Sequence, residues 1–253
     1  MPAAPDPWAA LRTATRARIG LGRTGDAPPL GAVLEFQLAH ARARDAVHTA
    51  LDAEAIARTL GTGCVVHSAA SDRDVYLRRP DLGRRLSEES RALLRSLQSP
   101  PDGWDAVFIV ADGLSPAAVQ EFAPPVLRIC MQKLAGWSIA PLVVAIQARV
   151  ALGDEIGALL GARLSVILIG ERPGLSVARS LGVYLTYDPK PGRSDAERNC
   201  VSNIHPDGLS FAAAAELVSW LMTEARSSKL TGVNLKLDAS IRLDASNDRA
   251  LLT

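Results

Sequence analysis

The chain has 253 residues, enough for one large domain or two small ones, and 48 % of them are hydrophobic, ample for a packed core. A formal net charge of +1 excludes a global field that would draw it to nucleic acid or an anionic membrane, and the excess of Arg over Lys (24 to 4) reads as compositional preference rather than phosphate recognition. Cys64, Cys130 and Cys200 are odd in number and far apart, without a CxxC or a Cys/His cluster at zinc spacing, so neither a disulfide framework nor a structural metal is expected.

Met1 to Pro5 has neither the charged nor the apolar region of a signal peptide, and no apolar stretch approaches the roughly 20 residues of a membrane span, so a soluble, cytoplasmic protein is expected. Residues 1–61 read as a small helical N-terminal domain. Trp8, Leu11, Thr15 and Ile19 fall at helical spacing, Leu30, Leu34 and Leu38 mark a second stripe, and Asp52 is the N-cap of a third helix that stops at Gly61. Three helices this small have little core of their own and need something to pack against. The intervening Gly20-Leu21-Gly22-Arg23-Thr24-Gly25 spells GxGxxG, but a helical stripe precedes it and Pro28-Pro29 follow. The dinucleotide fingerprint needs a strand before and a helix directly after, so this is a glycine-rich link.

Over residues 62–236 the period changes. Apolar runs at Ala106–Val110, Leu142–Ile146, Leu164–Ile169 and Val183–Tyr187 alternate with helical stretches, the pattern of βαβ units; a Rossmann-like α/β domain with a mostly parallel sheet flanked by helices is expected. Ser115-Pro116 starts a helix, Pro124-Pro125 is expected to divide it in two, Gly161 closes a helix begun near Asp154, and Ala212–Glu224 forms the last one. Residues 237–253, with the echo Leu237-Asp238-Ala239-Ser240 and Leu243-Asp244-Ala245-Ser246, read as a tail without assigned function.

Ligands of such sheets bind just beyond the carboxyl ends of the strands. Glu171 follows directly on the buried run Leu164–Ile169, between Gly170 and Gly174. It serves either as an ion-pair partner of Arg172 or a nearby Arg, as the cap of a short following helix, or as an acceptor for N–H or O–H groups of a ligand. Asp112, at the end of an earlier strand, serves the site or caps its turn. Asn203-Ile204-His205-Pro206-Asp207-Gly208 is one residue from the DxHxxG motif, whose His ligates cobalt. That motif follows the first strand of its domain, whereas His205 lies late, and an amide stands where an acid should orient the His. A loop histidine bonding backbone or partner is expected instead.

At several of these segments the chain resembles the small (light) subunit of ethanolamine ammonia-lyase. The resemblance is carried, in order, by Thr15–Arg18, Gly22–Gly25, Tyr76–Leu86, Asp112–Ser115, Gly170–Leu175 and Cys200–His205. It implies half of a lyase that converts ethanolamine to acetaldehyde and ammonia with adenosylcobalamin, whose cobalt–carbon homolysis supplies the radical. It further implies that the large subunit carries the substrate pocket, that this chain closes over cobalamin without contributing a catalytic group or metal ligand, and that the cofactor keeps its own base below cobalt. Cofactor contacts are implied at Val150, Glu171 and Cys200. From the residues alone, Val150 is a strand end or helix entry and Cys200 a buried structural thiol. Enclosure in a bacterial microcompartment is compatible with the resemblance. The alternatives are a free-standing nucleotide-binding or regulatory α/β protein and an interaction subunit that has lost its cofactor contacts.

Overall fold

The computed structural model describes residues 6–61 and 63–235, so the tandem echo and the tail from 237 lie outside the described residues. Six strands form one sheet: β1 (Gly63–His67), β2 (Trp104–Ala111), β3 (Leu142–Ile146), β4 (Ala162–Gly170), β5 (Leu181–Tyr187) and β6 (Asn199–Ile204), in spatial order β1-β3-β2-β4-β5-β6. The pairings β1–β3, β2–β3 and β2–β4 are parallel, whereas β4–β5 and β5–β6 are antiparallel. The α/β class is as expected, but the sheet is mixed.

Successive side chains of a strand point to opposite faces, and both faces of the central strands are covered. Ala106, Phe108 and Val110 of β2 share a core with α3 (Ala53–Leu60), α6 (Pro116–Lys133) and α8 (Phe211–Ser228). Val107 and Ile109 face α5 (Glu88–Ser96) and α7 (Leu152–Leu160). Burial on both faces explains why these strands read as unbroken apolar runs.

The continuation of parallel pairing through Val183–Tyr187 is corrected. Residues 171–180 hold no helix; they form a loop containing Pro173 and Gly174, closed by Gly174 N–H to Val177 O (2.8 Å) and Glu171 N–H to Ser180 O (3.0 Å). A parallel crossover takes a dozen or more residues and usually a helix; this link has neither, so the chain turns back beside β4. The division at Pro124-Pro125 is corrected as well, because α6 runs unbroken through both prolines. A proline inside a helix costs about 3 kcal/mol. Phe122, Val126 and Leu127, buried against the sheet, offset this at about 1.5–3 kcal/mol each. β1 and β6 were not legible as strands.

Asp52 caps α3 through Oδ1, which accepts from Ala55 N–H (2.9 Å), and Gly61 ends that helix with φ 97°. Gly161 ends α7 in the left-handed region, φ 65°. The N-terminal stripe from Trp8 to Ile19 is helical only over α1 (Ala9–Thr13), and the GxGxxG segment links it to α2 (Leu30–His48), with no strand before it. In α2 only Ala46 is buried, while Leu30, Leu34, Phe36 and Leu38 are exposed. No helix among the described residues is long and apolar enough to cross a membrane.

Candidate functional site

Because β1 to β4 are mutually parallel, their carboxyl ends share one edge of the sheet. There a cleft of about 440 Å³ is lined by Tyr76, Gly113, Leu114, Arg149, Val150, Ile169, Gly170, Glu171, Arg172 and Tyr184. Val150 and Glu171, expected from the sequence, are therefore neighbours. Cys200 lies one strand further out, facing Tyr184 across the β5–β6 pair. It is exposed, with no helix among the described residues over that face of the antiparallel strands. The three expected residues thus form one continuous surface running from the cleft onto β6.

The floor of the cleft depends on close backbone approach. A Cβ on Gly170 would come within 2.3 Å of the Ser115 carbonyl, and one on Gly113 (φ 54°) within 2.3 Å of the Gly170 carbonyl. Asp112 anchors the far wall. Its Oδ1 accepts from Ala148 N–H (2.9 Å), and its Oδ2 accepts from Gln147 N–H (2.8 Å) and from Arg73 (3.2 Å). Desolvation pushes its pKa above the ordinary carboxylate range, against the bond from Ala148 and the charge of Arg73. Both oxygens are used by the protein, so Asp112 fixes the β3–α7 turn and does not offer itself to a ligand.

That turn presents Arg149 and Val150. Arg149 N–H donates to Gly83 O (2.8 Å), and its guanidinium lies 4.5 Å from the centroid of the Tyr76 ring, which Arg73 also approaches at 4.9 Å. Tyr76 is wholly buried, its hydroxyl donates to Ala148 O (3.0 Å), and desolvation raises its pKa. Arg149 Nε is shut off from solvent and has no hydrogen-bond partner among the described residues.

Among the described residues Glu171 pairs with no arginine and caps no helix. Its carboxylate accepts from Ser180 Oγ and, at 3.3 Å, from Asn203 N–H. A register irregularity between Leu181 and Val183 places Gly182 beside it, where a Cβ would stand 3.0 Å from Oε1. The Cys200 thiol is raised above its ordinary pKa, first by local desolvation and then by the charge of Glu171, with the Tyr184 hydroxyl opposing, so it stays protonated near neutrality. Tyr184 is raised too, by desolvation and then by the neighbouring Cys200 and Glu171. A neutral thiol and a neutral phenol suit contact, not nucleophilic chemistry.

His205 is buried at 4 % exposure, and both ring nitrogens are engaged by its own loop. Nδ1 accepts from Asp207 N–H (3.3 Å), which places the ring proton on Nε2, 2.9 Å from Asn203 Oδ1. His205 is thus bonded to the backbone of Asp207 and the side chain of Asn203 within its own loop. Among the described residues no group of three His, Cys, Asp or Glu is placed to hold a metal. Sequence reasoning did not single out Tyr76, Arg149 or Tyr184 as residues lining the cleft. The only signal was the position of Arg149 directly beside Val150.

The family model described as ethanolamine ammonia-lyase light chain matches residues 5–236. The chain belongs to that family. The ethanolamine ammonia-lyase small subunit of Pseudomonas putida is 52 % identical over 98 % of this chain and 94 % of its own length. Those of Pseudomonas syringae pv. tomato (52 %, over 97 % of this chain and 88 % of the relative) and Pseudomonas fluorescens SBW25 (51 %, over 98 % and 92 %) are similar throughout.

Proposed function

We propose that this chain is the small subunit of an adenosylcobalamin-dependent ethanolamine ammonia-lyase, active only with its large subunit, and that Val150, Glu171 and Cys200 form its share of a cobalamin site at the subunit interface. The observation that carries this reading is the continuous surface from the carboxyl-edge cleft to the uncovered face of β6, on which all three residues lie. Clefts for drug-sized ligands run to about 300–1,000 Å³. Cobalamin is considerably larger than such ligands, so a 440 Å³ cleft open to one side fits an edge of it and leaves the remainder for a partner. The donor set suits the group: cobalamin is fringed with carboxamides and hydroxyls, which a carboxylate, an arginine and small side chains can meet.

Adenosylcobalamin supplies, when bound, the carbon radical that starts turnover, by homolysis of its cobalt–carbon bond. The residues of this chain bind and orient it. The Glu171 carboxylate, fixed by Ser180 and Asn203, accepts from cofactor N–H or O–H groups. Val150 presents methyl groups and backbone at the start of α7, and the protonated Cys200 offers a small apolar contact beside Tyr184. Together these side chains exclude water from one side of the cofactor. Residues 1–61 serve subunit contact, which fits the exposed Leu30, Leu34 and Leu38. We also assign a Rossmann-like character to the four parallel strands and a cytoplasmic location, free or within a microcompartment.

Co-expression with the large subunit, followed by an assay of cobalamin-dependent ammonia release from ethanolamine, tests the reading. Turnover is expected from the pair and none from the purified chain alone, which should self-associate through its exposed N-terminal leucines. Ethanolamine turnover by this chain alone overturns it.

A further inference from the structure

We propose that Arg149 is a cofactor-binding residue, and that Arg149 and Glu171 together hold one primary carboxamide of the bound cofactor, Arg149 donating to the amide oxygen and Glu171 accepting from the amide N–H. This rests on the cobalamin reading above and adds a residue and a recognition chemistry to it.

Five side chains, Arg73, Trp104, Ser115, Arg149 and Ser219, carry a buried polar atom with no partner among the described residues, and of these Arg149 is the one that lines the cleft. A guanidinium is a fork of five donors with no acceptor, and the Nε of Arg149 is buried without a partner among the described residues while the side chain lines the cleft. The group is nevertheless held in place. The backbone N–H of Arg149 donates to Gly83 O, its guanidinium stacks on Tyr76, and the preceding residues Gln147 and Ala148 are bonded to Asp112. Gly83 matters here, since a Cβ would stand 3.0 Å from Arg149 Cγ. The fork is positioned before a ligand arrives, which lowers the ordering cost of binding.

Glu171 lines the same cleft as an acceptor-only group that forms no ion pair among the described residues. The pair discriminates among ligand groups. Phosphate or carboxylate would satisfy Arg149 but meet repulsion from Glu171, and an ammonium would satisfy Glu171 but be repelled by Arg149. A primary amide carries an acceptor oxygen and a donor nitrogen on one planar unit and satisfies both.

The test is binding of cyanocobalamin to the assembled two-subunit complex by titration calorimetry. Arg149→Met should weaken binding about tenfold or more, and Arg149→Lys, which keeps the charge but loses the fork, by less. With Glu171→Gln added, the double variant should lose less than the product of the single effects, because both residues hold one amide. Among cyanocobalamin derivatives with one side-chain amide hydrolysed to the acid, one should bind the unaltered complex at least about tenfold more weakly, and Glu171→Gln should narrow that gap. Unchanged binding by Arg149→Met, independent single effects, or equal binding of all the monoacids overturns this inference alone. Failure of both Arg149 variants to assemble also overturns it, since the residue would then be structural. An unaltered complex that binds no cyanocobalamin overturns the functional reading and this inference together.

Discussion

Two arginines flank α7 and meet opposite treatment. Arg198 is buried against Asp154 on the first turn of that helix and uses its whole fork. NH1 reaches Asp154 Oδ1 (2.5 Å) and Thr186 Oγ1 (3.0 Å), NH2 reaches Asp154 Oδ2 (2.7 Å) and Arg193 O (2.8 Å), and Nε reaches Asp195 (3.4 Å). Arg149, just before α7, has a buried Nε with no partner among the described residues. The first region is closed on itself and ties α7 to β5 and to the entry of β6. The second holds a donor in place and leaves it unused. Buried polar groups are ordinarily hydrogen-bonded, and the proposed ligand contact rests on this difference between a saturated arginine in the fold and an unsaturated one at the cleft.

The saturated region should give the largest effect on stability. Asp154→Ala leaves Arg198 buried and unpaired, and breaking a buried pair from one side costs about 3–5 kcal/mol. For a chain of this size that lowers Tm by roughly 6–20 °C. A shift of only a degree or two in thermal unfolding would show that the pair contributes little and would blur the contrast.

Glu171→Gln should do the reverse. Tm should hold, while cobalamin affinity of the assembled enzyme falls, because the amide keeps size and one acceptor oxygen but loses charge. Charge-assisted bonds contribute roughly 1.5–3 kcal/mol, or about ten- to hundred-fold in apparent affinity. Saturating cofactor should then restore much of the turnover. Unchanged binding with a collapsed maximal rate would place Glu171 in the chemistry, and loss of subunit association would move it to the structural side.

His205 belongs with the satisfied groups, so His205→Ala should leave the lower axial ligand of bound cobalamin unaltered. Electron paramagnetic resonance of the cobalt(II) form reports that nitrogen, and a signal that changes with the substitution would overturn this reading. The smallest effect is expected at the surface. Glu197 is held down to about 2, first by the backbone N–H of Ser194 and then by Arg193. A depressed folded-state pKa contributes stability above the ordinary value of 4.5 and loses it as pH falls toward about 2. Glu197→Gln should therefore remove that small contribution above the window, neutral pH included, flatten the acid limb within it, and leave stability near pH 2 nearly unchanged. An identical acid limb would contradict the assignment.

The strands β2, β3 and β4 were legible because burial on both faces writes an unbroken apolar run into the sequence. Asp52, Gly61 and Gly161 were legible because caps depend on local chemistry. The strand β6 was not, since only Val201 and Ile204 are buried and its other residues face outward or sideways. The reversal at β5 was hidden because an apolar run does not state the direction of its neighbour, and the continuity of α6 through two prolines is decided by packing. At the site, Glu171 announced itself by following a buried strand. Val150 and Cys200 came only from resemblance, since a valine at a helix entry and a lone thiol carry no chemical signature. Arg149 was unreadable among 24 arginines, because what marks it is the absence of a partner, and that is a property of three dimensions.

The most direct test of the account is a cobalamin titration of the large subunit alone, this chain alone and the assembled complex, each with and without Glu171→Gln. The account predicts tight binding by the complex only, weakened about ten- to hundred-fold by the substitution. Equal affinity of the large subunit alone, with no effect of Glu171→Gln in the complex, would show that this chain takes no part in holding the cofactor.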